Sequence, residues 1–522
     1  MAHWAFEIAD RLIAEKPNKD VYICACGVSP SGSVHIGNFR DVATSLFVAK
    51  ALTIRGKKAK LLLSWDDFDR LRKVPSNISK VVDGFEKNIG LPYTFIDDPF
   101  KTDVSYGMHF EHEFEESLKV FGIELDIRRQ TEYYTSGKYT EQIMLALKKR
   151  KEIYDILMTF KTQDANEDDR ENYYPISVYC EGCKKDLTKV VSYDEETGDL
   201  VYYCDNCQCE HHVNVKEYHN IKLSWKIDWP MRWVYEGVDF EPGGIDHATP
   251  NGSYDVAKVI VKEIFGGQAP IFQGYGWLGI QGLGNMHSSS GNNITPAKLL
   301  EIYEPEIIKW LFAKYRPEEA FEFAFNDTVL RHYSEYDKLL ARANKGELND
   351  FEKELIALLF GDEQIKEKTG FGIISSVAPI VDFNLEALEG ALAKAGVEFG
   401  ESSYDRVAKV KNWIETYNPE KKYDLLVGKN VEYFNAMGDE EKAVIKKLHD
   451  FVAENDFTES EIQRYLYDII NDENLTKKEN IERQKVNFKN MYNLLFGRDD
   501  GPRLYLFMAA ANKETYLDLL NF

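Results

Sequence analysis

Serine, glycine and histidine are concentrated in one short stretch, from Cys26 to Arg40, which reads C-G-V-S-P-S-G-S-V-H-I-G-N-F-R. Small turn-forming residues let a ligand come close to the backbone. The start of a helix presents unpaired N–H groups and the positive end of its dipole, which together favour phosphate. His35 lies at a predicted helix start, where an imidazole could donate to a phosphate oxygen. The stretch therefore predicts a phosphate site, and the alternative is an ordinary polar turn.

Two regular elements must hold this turn in place. An apolar, β-branched run, Val21 to Cys26, is typical of a buried strand, and apolar residues recur at helical spacing from Asn38 to Leu52. Further strand signals, at Lys60 to Ser64 and at Tyr93 to Ile96, alternate with helical runs. This alternation is typical of a parallel sheet between layers of helices. The sequence therefore predicts an α/β fold with a Rossmann-like, doubly wound parallel sheet.

Cysteines are distributed unevenly along the chain, and four of the seven form two C-x-x-C pairs separated by 20 residues. These four are Cys180, Cys183, Cys204 and Cys207. The spacing matches a zinc ribbon, in which four thiolates close a tetrahedron and leave no position open for catalysis. Cys209, His211 or His212 could replace one ligand, and disulfides are an alternative that is rare in a cytosolic chain. A structural Zn²⁺ is therefore predicted.

Composition limits the class of protein. The chain has 522 residues, 44% of them hydrophobic, and a formal net charge of −23. It has no apolar stretch near the ~18 residues of a membrane span, and residues 1–16 lack the apolar centre of a signal peptide. We therefore expect a cytoplasmic protein with no membrane partner. Because phosphate contacts need local positive charge, the net charge argues against indiscriminate nucleic-acid binding. The candidate basic patches, each of which could equally be a solvated helix face, are Lys148 to Lys151 and Lys477, Lys478, Arg483, Lys485, Lys489, Arg498 and Arg503.

A series of motifs carries a family resemblance. The H-I-G-N string at residues 35–38 is similar to the HIGH signature of class I aminoacyl-tRNA synthetases, and S-P-S-G-S-V-H-I-G-N-F-R resembles the first motif of class I lysyl-tRNA synthetases. Further segments that resemble this family are L-L-L-S-W-D-D-F-D at 61–69, W-K-I-D-W-P-M-R-W at 225–233, D-F-E-P-G-G-I-D-H at 239–247, G-S-Y-D at 252–255 and G-R-D-D-G-P-R at 497–503. Because the segments follow the family's order along nearly the whole chain, the series is more specific than a lone HIGH match.

The resemblance implies a two-step reaction and a set of site residues. ATP, supplied with Mg²⁺, would activate L-lysine to lysyl-adenylate, and lysine would then pass to the terminal ribose of tRNA(Lys). The implied ATP-binding residues are Pro30, Ser31, Gly32, His35, Gly37, Asn38, Met286 and Ser288. The implied lysine-binding residues are Gly27, Ser29, Trp225, Asp246, His247 and Tyr275, with Asp66 and Asp228 as further acidic candidates for the ammonium. The implied catalytic residues are His35, Asn38, Met286, Ser288 and Ser289.

The second signature motif departs from the family's form. Class I synthetases carry a KMSKS loop, often K-M-S-S-S-K-G-N in the lysine enzymes, whereas residues 285–292 read N-M-H-S-S-S-G-N. Asn285 and Ser290 stand where the lysines are expected, and His287 occupies a serine position. Loss of one donor to developing charge typically costs ~3–4 kcal/mol, which serine hydroxyls, His287 and backbone N–H groups could offset in part. The rate of adenylate formation is expected to be affected more than the choice of substrate.

The expected organisation has five segments. Residues 1–169 and 219–295 would form the two halves of the catalytic domain around a zinc-ribbon insert at 170–218. Residues 296–340 would form a helical segment that contacts the tRNA stem, and residues 341–522 an all-α anticodon-binding domain, as the resemblance implies. A monomer is expected. Some relatives hold a second metal after the second strand, but no zinc is predicted near Asp98 and His109, because Thr102 and Asp103 stand where better ligands would be needed.

Three other classes of protein stay open. Another class I synthetase, such as a glutamate enzyme, would share the first motif but would need a cationic residue for its acidic substrate. A small nucleotidylyltransferase would need neither the cysteine ribbon nor the helical C-terminal half. A degenerate synthetase-like protein would bind tRNA or an amino acid without charging it, and the altered 285–292 loop is its main support.

Overall fold

The structure, a computed structural model, describes residues 2–161, 166–281 and 294–522, and the backbone of 284–285. The chain divides into two compact units. The first comprises Met1–Leu299, Ile308–Phe323 and Leu348–Glu363. The second comprises Leu300–Ile307, Ala324–Glu347 and Gln364–Phe522.

A five-stranded parallel sheet lies at the centre of the first unit. Numbered along the chain, the strands are β1 (Val21–Val28), β2 (Lys58–Trp65), β3 (Asp126–Arg129), β4 (Ile176–Val178), β5 (Thr188–Tyr193), β6 (Asp199–Cys204), β7 (Cys209–Asn214), β8 (Ile221–Leu223), β9 (Phe240–Gly244), β10 (Ile271–Tyr275), β11 (Leu278–Ile280), β12 (Gly284–Asn285) and β13 (Phe321–Phe323). The order in the main sheet is β10-β9-β1-β2-β3. The chain therefore builds one side of β1 first and then the other, which confirms the predicted doubly wound topology. The strand order reverses between β1 and β9, where such sheets bind ligands.

Helices surround this sheet and make up most of the second unit. The first twelve are α1 (Trp4–Glu15), α2 (Ile36–Ile54), α3 (Ser76–Ser79), α4 (Tyr106–Val120), α5 (Gln130–Thr135), α6 (Thr140–Lys148), α7 (Arg150–Thr159), α8 (Glu167–Glu171), α9 (Trp225–Glu236), α10 (Ser253–Glu263), α11 (Pro296–Leu300) and α12 (Pro305–Lys314). The others are α13 (Thr328–Asn344), α14 (Asp350–Phe360), α15 (Phe371–Val377), α16 (Leu385–Lys394), α17 (Tyr404–Tyr417), α18 (Val431–Ala436), α19 (Asp439–Glu454), α20 (Glu459–Ile470), α21 (Lys477–Phe496) and α22 (Leu504–Ala510). The predicted helical C-terminal region is thus confirmed.

Helix α2 follows the predicted phosphate turn and is the most buried element near it. Fourteen of its 19 residues are buried, including the polar Arg40 and Asp41. A helix that is buried on nearly all sides belongs to the core rather than the surface. Because burial of a charge is costly unless a partner compensates it, the surroundings of Arg40 and Asp41 bear directly on function.

The connection between β2 and β3 differs from the sequence prediction. Tyr93–Phe95 is a 3₁₀ helix, so the strand predicted from Tyr93 to Ile96 is wrong, and β3 supplies the third strand. The carbonyl of Pro92 accepts an N–H at 2.9 Å to close this turn. Tyr93 and Ile96 pack with Tyr106 in an apolar cluster separate from the sheet. The aromatic and β-branched residues of this segment therefore pack in a small separate core. Strand propensity alone does not distinguish residues in such a core from residues in a sheet.

The cysteine-rich insert is built from antiparallel strands. β5, β6 and β7 form a three-stranded sheet, and β4 pairs with β8. The hairpin of β5 and β6 carries Gly198 at its turn with a positive φ of 85°, a conformation that glycine adopts without strain. The pairing of these strands places Cys204 of β6 opposite Cys209 of β7.

A buried ionic cluster stabilises the interior of the second unit. Arg406 is 1% exposed. It donates to Glu304 at 2.8 Å and to both carboxylate oxygens of Asp337 at 2.9 and 2.7 Å. Lys368 also bonds to Glu304. Because each carboxylate has a cationic partner, the desolvation of these charges is compensated.

Among the described residues, no single helix is long and apolar enough to cross a membrane. One pair of helical segments, Phe371–Val381 and Leu385–Lys394, passes the same test together by length and composition, with a bend of 115° between them.

Candidate active site

A cavity of about 290 Å³ lies at the end of the main sheet, in the first unit. The start of α2 and the carboxyl ends of β9 and β10 contribute its walls. The lining residues are His35, Gly37, Asn38, Gly244, Ile245, Asp246, His247, Tyr275, Gly276, Trp277 and Leu278. The cavity thus brings together, from distant parts of the sequence, three of the predicted ATP-binding residues and three of the predicted lysine-binding residues.

The N-terminus of α2 provides the polar wall of this cavity. His35 is the N-cap residue, with extended backbone angles, and the first helical turn contains no acidic side chain. Gly37 and Asn38 belong to this turn and line the cavity. The Asn38 N–H donates to the His35 carbonyl at 2.9 Å, and the Ile36 N–H donates to the carbonyl of Ile294 at 2.8 Å. The positive end of the helix dipole therefore faces the cavity, an arrangement that favours an anionic group such as phosphate.

Asp41, which the sequence prediction did not include, contacts a residue of the predicted lysine pocket. One oxygen of its carboxylate accepts the Tyr275 hydroxyl at 3.0 Å, and the other has no hydrogen-bond partner among the described residues. Asp41 is 7% exposed, and no lysine or arginine in the described part of the chain forms an ion pair with it. One sequence signal could have found it, because Asp41 follows Asn38 by three residues and so lies on the same helix face. Asp41 does not line the cavity itself but contacts Tyr275, which does, so the arrangement provides a buried acceptor next to the cavity wall.

Asp41 belongs to a group of buried carboxyl groups that influence one another. Burial is the main cause that raises the pKa of Asp41, Glu241 and Asp66. Nearby carboxyl groups raise it further: Glu241 and Asp66 act on Asp41, Asp66 acts on Glu241, and Asp69 and Asp228 act on Asp66. Glu241 accepts the indole N–H of Trp233, and Asp66 accepts a guanidinium N–H of Arg232 at 2.8 Å. Arg232 favours the ionised form of Glu241 and Asp66. The neighbourhood is therefore short of positive charge.

The same shortage of positive charge extends to the start of α9. Lys222 bonds to Asp69 and lies 3.8 Å from Asp228, which also lies 3.4 Å from Arg232. Asp228 additionally accepts the Tyr134 hydroxyl. The predicted ammonium acceptors Asp66 and Asp228 are therefore paired with protein cations, whereas Asp246 lines the cavity. Two cations serve five carboxyl groups in this region, counting Asp41 and Glu241.

Aromatic side chains of α9 lie behind one wall residue of the cavity. Trp225 stacks on Trp229 with 5.3 Å between ring centroids and an interplanar angle of 13°. Trp229 in turn lies 5.7 Å from the ring of His247, which lines the cavity. Burial lowers the pKa of His247, which favours its neutral imidazole. Neither tryptophan lines the cavity itself, so the predicted lysine-binding residue Trp225 is separated from it by Trp229 and His247, whereas Ile245, Trp277 and Leu278 are the apolar residues of its lining.

Arg40 fixes the chain immediately after Tyr275. Its guanidinium donates to the carbonyl of Gly276 at 2.9 Å and to two further carbonyls, those of Arg316 and Glu319. Burial lowers the pKa of Arg40 to about 10. A Cβ on Gly276 would lie 2.5 Å from the carbonyl oxygen of Glu318, so only glycine fits. Two adjacent residues of α2, Arg40 and Asp41, therefore hold two adjacent residues at the end of β10, Gly276 and Tyr275.

The second signature motif begins just beyond this point. β12 pairs antiparallel with β11, and Asn285 lies opposite Gly279. The predicted catalytic and ATP-binding residues Met286, Ser288 and Ser289 lie outside the described residues.

The remaining predicted residues of the first motif lie in the chain before α2. Gly27 lies near the carboxyl end of β1, opposite Ser64 of β2, and Ser29, Pro30, Ser31 and Gly32 form the turn that follows. None of these five predicted residues lines the cavity. The carbonyl of Ser31 accepts the hydroxyl of Tyr106 at 2.7 Å, a contact that sequence reasoning did not foresee.

The four paired cysteines meet in the insert. Their sulfur atoms all lie within 4.8 Å of one another, with Cys180 and Cys207 3.7 Å apart and Cys183 and Cys204 also 3.7 Å apart. Sulfurs at the corners of a tetrahedron with ~2.3 Å Zn–S bonds would be about 3.8 Å apart, so the residues fit a zinc ion. His211 lies at the edge of the cluster, with its Nε2 3.5 Å from the Cys180 sulfur and its Nδ1 3.0 Å from Glu181.

Known proteins resemble the chain along its length. A family model described as "tRNA synthetases class I (K)" matches residues 2–358. The lysine–tRNA ligase of Streptomyces coelicolor is 33% identical over 571 residues, covering 99% of this chain and 98% of the relative, and that of Borreliella burgdorferi is 34% identical, covering 96% of each. A solved glutamate–tRNA ligase from Elizabethkingia meningosepticum aligns with a TM-score of 0.47 at 14% identity, covering 96% of this chain and 99% of that chain. The family match and the two full-length relatives agree with the motif series, and the chain belongs to the lysine group of class I tRNA synthetases.

Proposed function

We propose that this chain is a lysine–tRNA ligase that activates L-lysine with ATP and transfers it to tRNA(Lys). Family membership supports the reaction class. The observation that carries the choice of amino acid is Asp41, a buried carboxylate that accepts the Tyr275 hydroxyl and has no protein cation as partner in the described region. A substrate ammonium at this point would supply the missing charge.

The pocket chemistry suits a lysine side chain in two ways. Its ammonium needs acceptors, which Asp41 and the nearby Glu241 provide in a region short of positive charge. Its methylenes need an apolar wall, which Ile245, Trp277 and Leu278 of the cavity lining provide. A glutamate side chain would place a second anion against the buried carboxyl groups, so a glutamate enzyme is disfavoured.

ATP would bind against the start of α2. His35 and Asn38 would contact its phosphates beside the helix dipole, with Gly37 allowing close approach of the backbone. A lysine carboxylate oxygen then attacks the α-phosphorus, the bond to the β-phosphate oxygen breaks, and pyrophosphate leaves with the Mg²⁺ of the nucleotide complex. The protein's contribution is to position the two substrates and to stabilise the charge on the phosphates.

The second step transfers lysine from the adenylate to the terminal ribose hydroxyl of tRNA(Lys), and AMP leaves. We assign anticodon recognition to the helical region at 341–522 and stem contacts to 296–340. The chain is expected to act in the cytoplasm and as a monomer.

We further propose that Cys180, Cys183, Cys204 and Cys207 bind one structural Zn²⁺. The support is the spacing of their four sulfur atoms, which suits a tetrahedral site with no open position. The ion would fix the short strands of the insert, and no step of the reaction passes through it.

Amino-acid-dependent ATP–pyrophosphate exchange tests the proposed function. Lysine should drive the exchange, whereas glutamate, arginine and cysteine should not, because an acceptor left unpaired penalises the wrong side chain. Lysine-dependent charging of tRNA(Lys) should follow. Exchange driven by a different amino acid would overturn the substrate and leave only the class of enzyme.

A second candidate is a synthetase-like protein that binds lysine or tRNA without charging. The observation in its favour is that Asn285 and Ser290 replace both lysines of the second signature motif. The double variant Asn285→Lys, Ser290→Lys separates the two candidates. Exchange in the wild type, whether or not the variant is faster, supports the enzyme, whereas lysine binding without exchange in either protein supports the non-catalytic candidate.

A further inference from the structure

One buried tyrosine of α4 reaches out of its own apolar cluster to the turn at residues 29–33. Tyr106 is 0% exposed and packs against Phe85 and Phe110. Its hydroxyl nevertheless donates to the backbone carbonyl of Ser31, at 2.7 Å. The cluster that buries the ring thus fixes the position of a carbonyl in the turn that precedes α2.

Two further side chains from the same region lie near the turn on either side of this carbonyl. Burial raises the pKa of Tyr93 and of Glu113, and the nearby side chains of Ser29 and Ser33, respectively, partly offset this effect. The hydrogen bond that holds the turn is the one from Tyr106 to Ser31.

Helix α4, which carries Tyr106 and Glu113, is itself anchored to the sheet. Arg129, the last residue of β3, donates to Glu111 at 2.7 Å and to Glu115 at 2.6 Å. The indole N–H of Trp65, the last residue of β2, also donates to Glu115, at 2.9 Å. Because both carboxylates belong to α4, the middle of that helix is fixed relative to the strand ends.

Close packing brings the two tyrosines together. Gly107 of α4 lies against the 3₁₀ turn, where a Cβ would sit 3.2 Å from the Tyr93 backbone carbon and Cβ. This approach leaves 6.2 Å between the ring centroids of Tyr93 and Tyr106. A larger residue at position 107 would separate α4 from the turn that carries Tyr93.

The Tyr106 contact has a geometric consequence for the backbone that follows it. In a planar trans peptide the C=O and the next N–H point in opposite directions. With the Ser31 carbonyl directed at Tyr106, the N–H of Gly32 is directed away from α4. Consecutive N–H groups oriented by their own backbone form the concave sites that bind phosphate oxygens.

We infer that Tyr106 is a positioning residue for ATP, since its hydroxyl holds the 29–33 turn that leads into the start of α2, where the triphosphate would bind. The inference rests on the proposed function, in which this turn precedes the ATP-binding start of α2. Tyr106 does not touch the nucleotide and acts through the backbone of Ser31.

The test compares two substitutions that each remove one hydroxyl group. Tyr106→Phe removes the donor to Ser31. Tyr22→Phe is the matched control, because Tyr22 is also 0% exposed and donates to a backbone carbonyl, that of Lys16 at 2.6 Å, in a strand start remote from the turn. The dissociation constant of Mg·ATP is measured by calorimetry, the KM values for ATP and lysine by pyrophosphate exchange, and the midpoint of thermal unfolding for each protein.

We expect Tyr106→Phe to weaken ATP binding by about 3- to 10-fold, the range of one hydrogen bond, with the KM for lysine within twofold of wild type. Tyr22→Phe should leave ATP binding unchanged. Its thermal midpoint should fall by about as much as that of Tyr106→Phe, because each variant loses one buried hydrogen bond. Tyr93→Phe and Gly107→Ala should weaken ATP binding in the same direction, and they decide the matter if Tyr106→Phe does not fold.

Equal ATP affinity in wild type and all three turn variants would overturn the inference, as would an equal rise in the KM for lysine and for ATP. A wild-type protein that does not bind Mg·ATP would overturn it too. Because calorimetry needs no turnover, a protein that binds ATP but shows no lysine-dependent exchange contradicts the proposed function alone, and the ratio of ATP affinities still decides the role of Tyr106.

Discussion

The Tyr275 hydroxyl donates to the Asp41 carboxylate at 3.0 Å, across a sequence separation of 234 residues. Asp41 belongs to α2, directly after the first signature motif, and Tyr275 ends β10. The hydrogen bond therefore joins the helix at the predicted ATP site to a residue of the predicted lysine pocket. The preceding residue, Arg40, holds the carbonyl of Gly276 at 2.9 Å, so the two contacts fix this junction together.

Asp41→Asn tests the role of this carboxylate. The amide keeps an acceptor for Tyr275 but removes the charge that would pair with the lysine ammonium. Hydrogen bonds to charged groups contribute about 1.5–3 kcal/mol, so the KM for lysine should rise about 10- to 100-fold while the KM for ATP changes little. Pyrophosphate exchange at varied lysine concentration measures both constants.

Asp246→Asn is the matched control, since it makes the same chemical change at an exposed carboxylate that lines the cavity together with Tyr275, the partner of Asp41. It should change the KM for lysine by less than threefold. A large effect at Asp246 together with a small one at Asp41 would transfer the role of ammonium acceptor to Asp246.

Lysine binding should depend on pH through the same carboxyl group. Burial and the neighbouring Glu241 raise the pKa of Asp41 well above its usual range, which favours the protonated form in the free protein. A bound ammonium favours the ionised form, so binding releases a proton and lysine affinity should increase as pH rises from 6 to 8. Calorimetry in buffers of different ionisation enthalpy measures the proton release. Asp41→Asn should abolish it, and equal proton release in that variant would exclude Asp41 as the source.

His35→Ala should slow adenylate formation without unfolding the protein. His35 is the N-cap of α2 and lines the cavity, where negative charge on the phosphates grows in the transition state. Removing one such donor typically lowers kcat by 10²- to 10³-fold, and the KM for ATP should change far less. Exchange kinetics and the thermal midpoint separate the two effects. Normal kcat in a stable variant would mean that the histidine serves only to begin the helix.

The four-cysteine cluster makes a prediction about metal content. Protein purified without chelator should contain about one zinc per chain by elemental analysis. Cys180→Ser should lower the zinc content and make the insert susceptible to protease, whereas Cys209→Ser, which changes an exposed thiol outside the group of four, should leave the zinc content unchanged. Full zinc content in a variant that lacks both Cys180 and Cys204 would contradict the assignment.

The sequence allowed prediction of the elements whose signals are local. Hydrophobic periodicity located β1 and α2, and cysteine spacing located the group whose sulfurs meet in the insert. The same kind of signal failed at Tyr93 to Ile96, because an apolar run does not state whether it packs in a sheet or in a satellite cluster.

The acidic part of the site could not be predicted from local signals. Asp41 acquires its role only because β10 returns to the sheet beside α2, which places Tyr275 against it. Asp66 and Asp228 looked equally suitable in the sequence, yet Arg232 and Lys222 pair with them in the fold. Which carboxyl group is left without a cationic partner depends on packing between distant segments, and no short pattern in a single sequence encodes that.

A last prediction concerns two carboxyl groups beneath the site, Asp67 and Glu111. Both are buried, at 1% and 0% exposure, and each has one carboxylate oxygen without a hydrogen-bond partner among the described residues. Burial, and secondarily their mutual proximity in the case of Glu111, raises the pKa of Asp67 to about 7 and of Glu111 to about 8. In the unfolded chain both groups ionise near pH 4.

Between about pH 4 and pH 8 the folded protein therefore binds protons that the unfolded chain has released, so the free energy of unfolding falls as pH rises. We expect a loss of up to about 5 kcal/mol between pH 5.5 and pH 8, about 2 kcal/mol of it from Asp67, measured by urea denaturation at each pH. Asp67→Asn removes one of the two ionisations, keeps an acceptor for the Thr131 N–H, and should reduce the loss by about 2 kcal/mol or more. The exposed Asp97→Asn should leave the loss as in wild type. Identical pH dependence in wild type and Asp67→Asn would show that this pair ionises normally and that its proton does not contribute to stability.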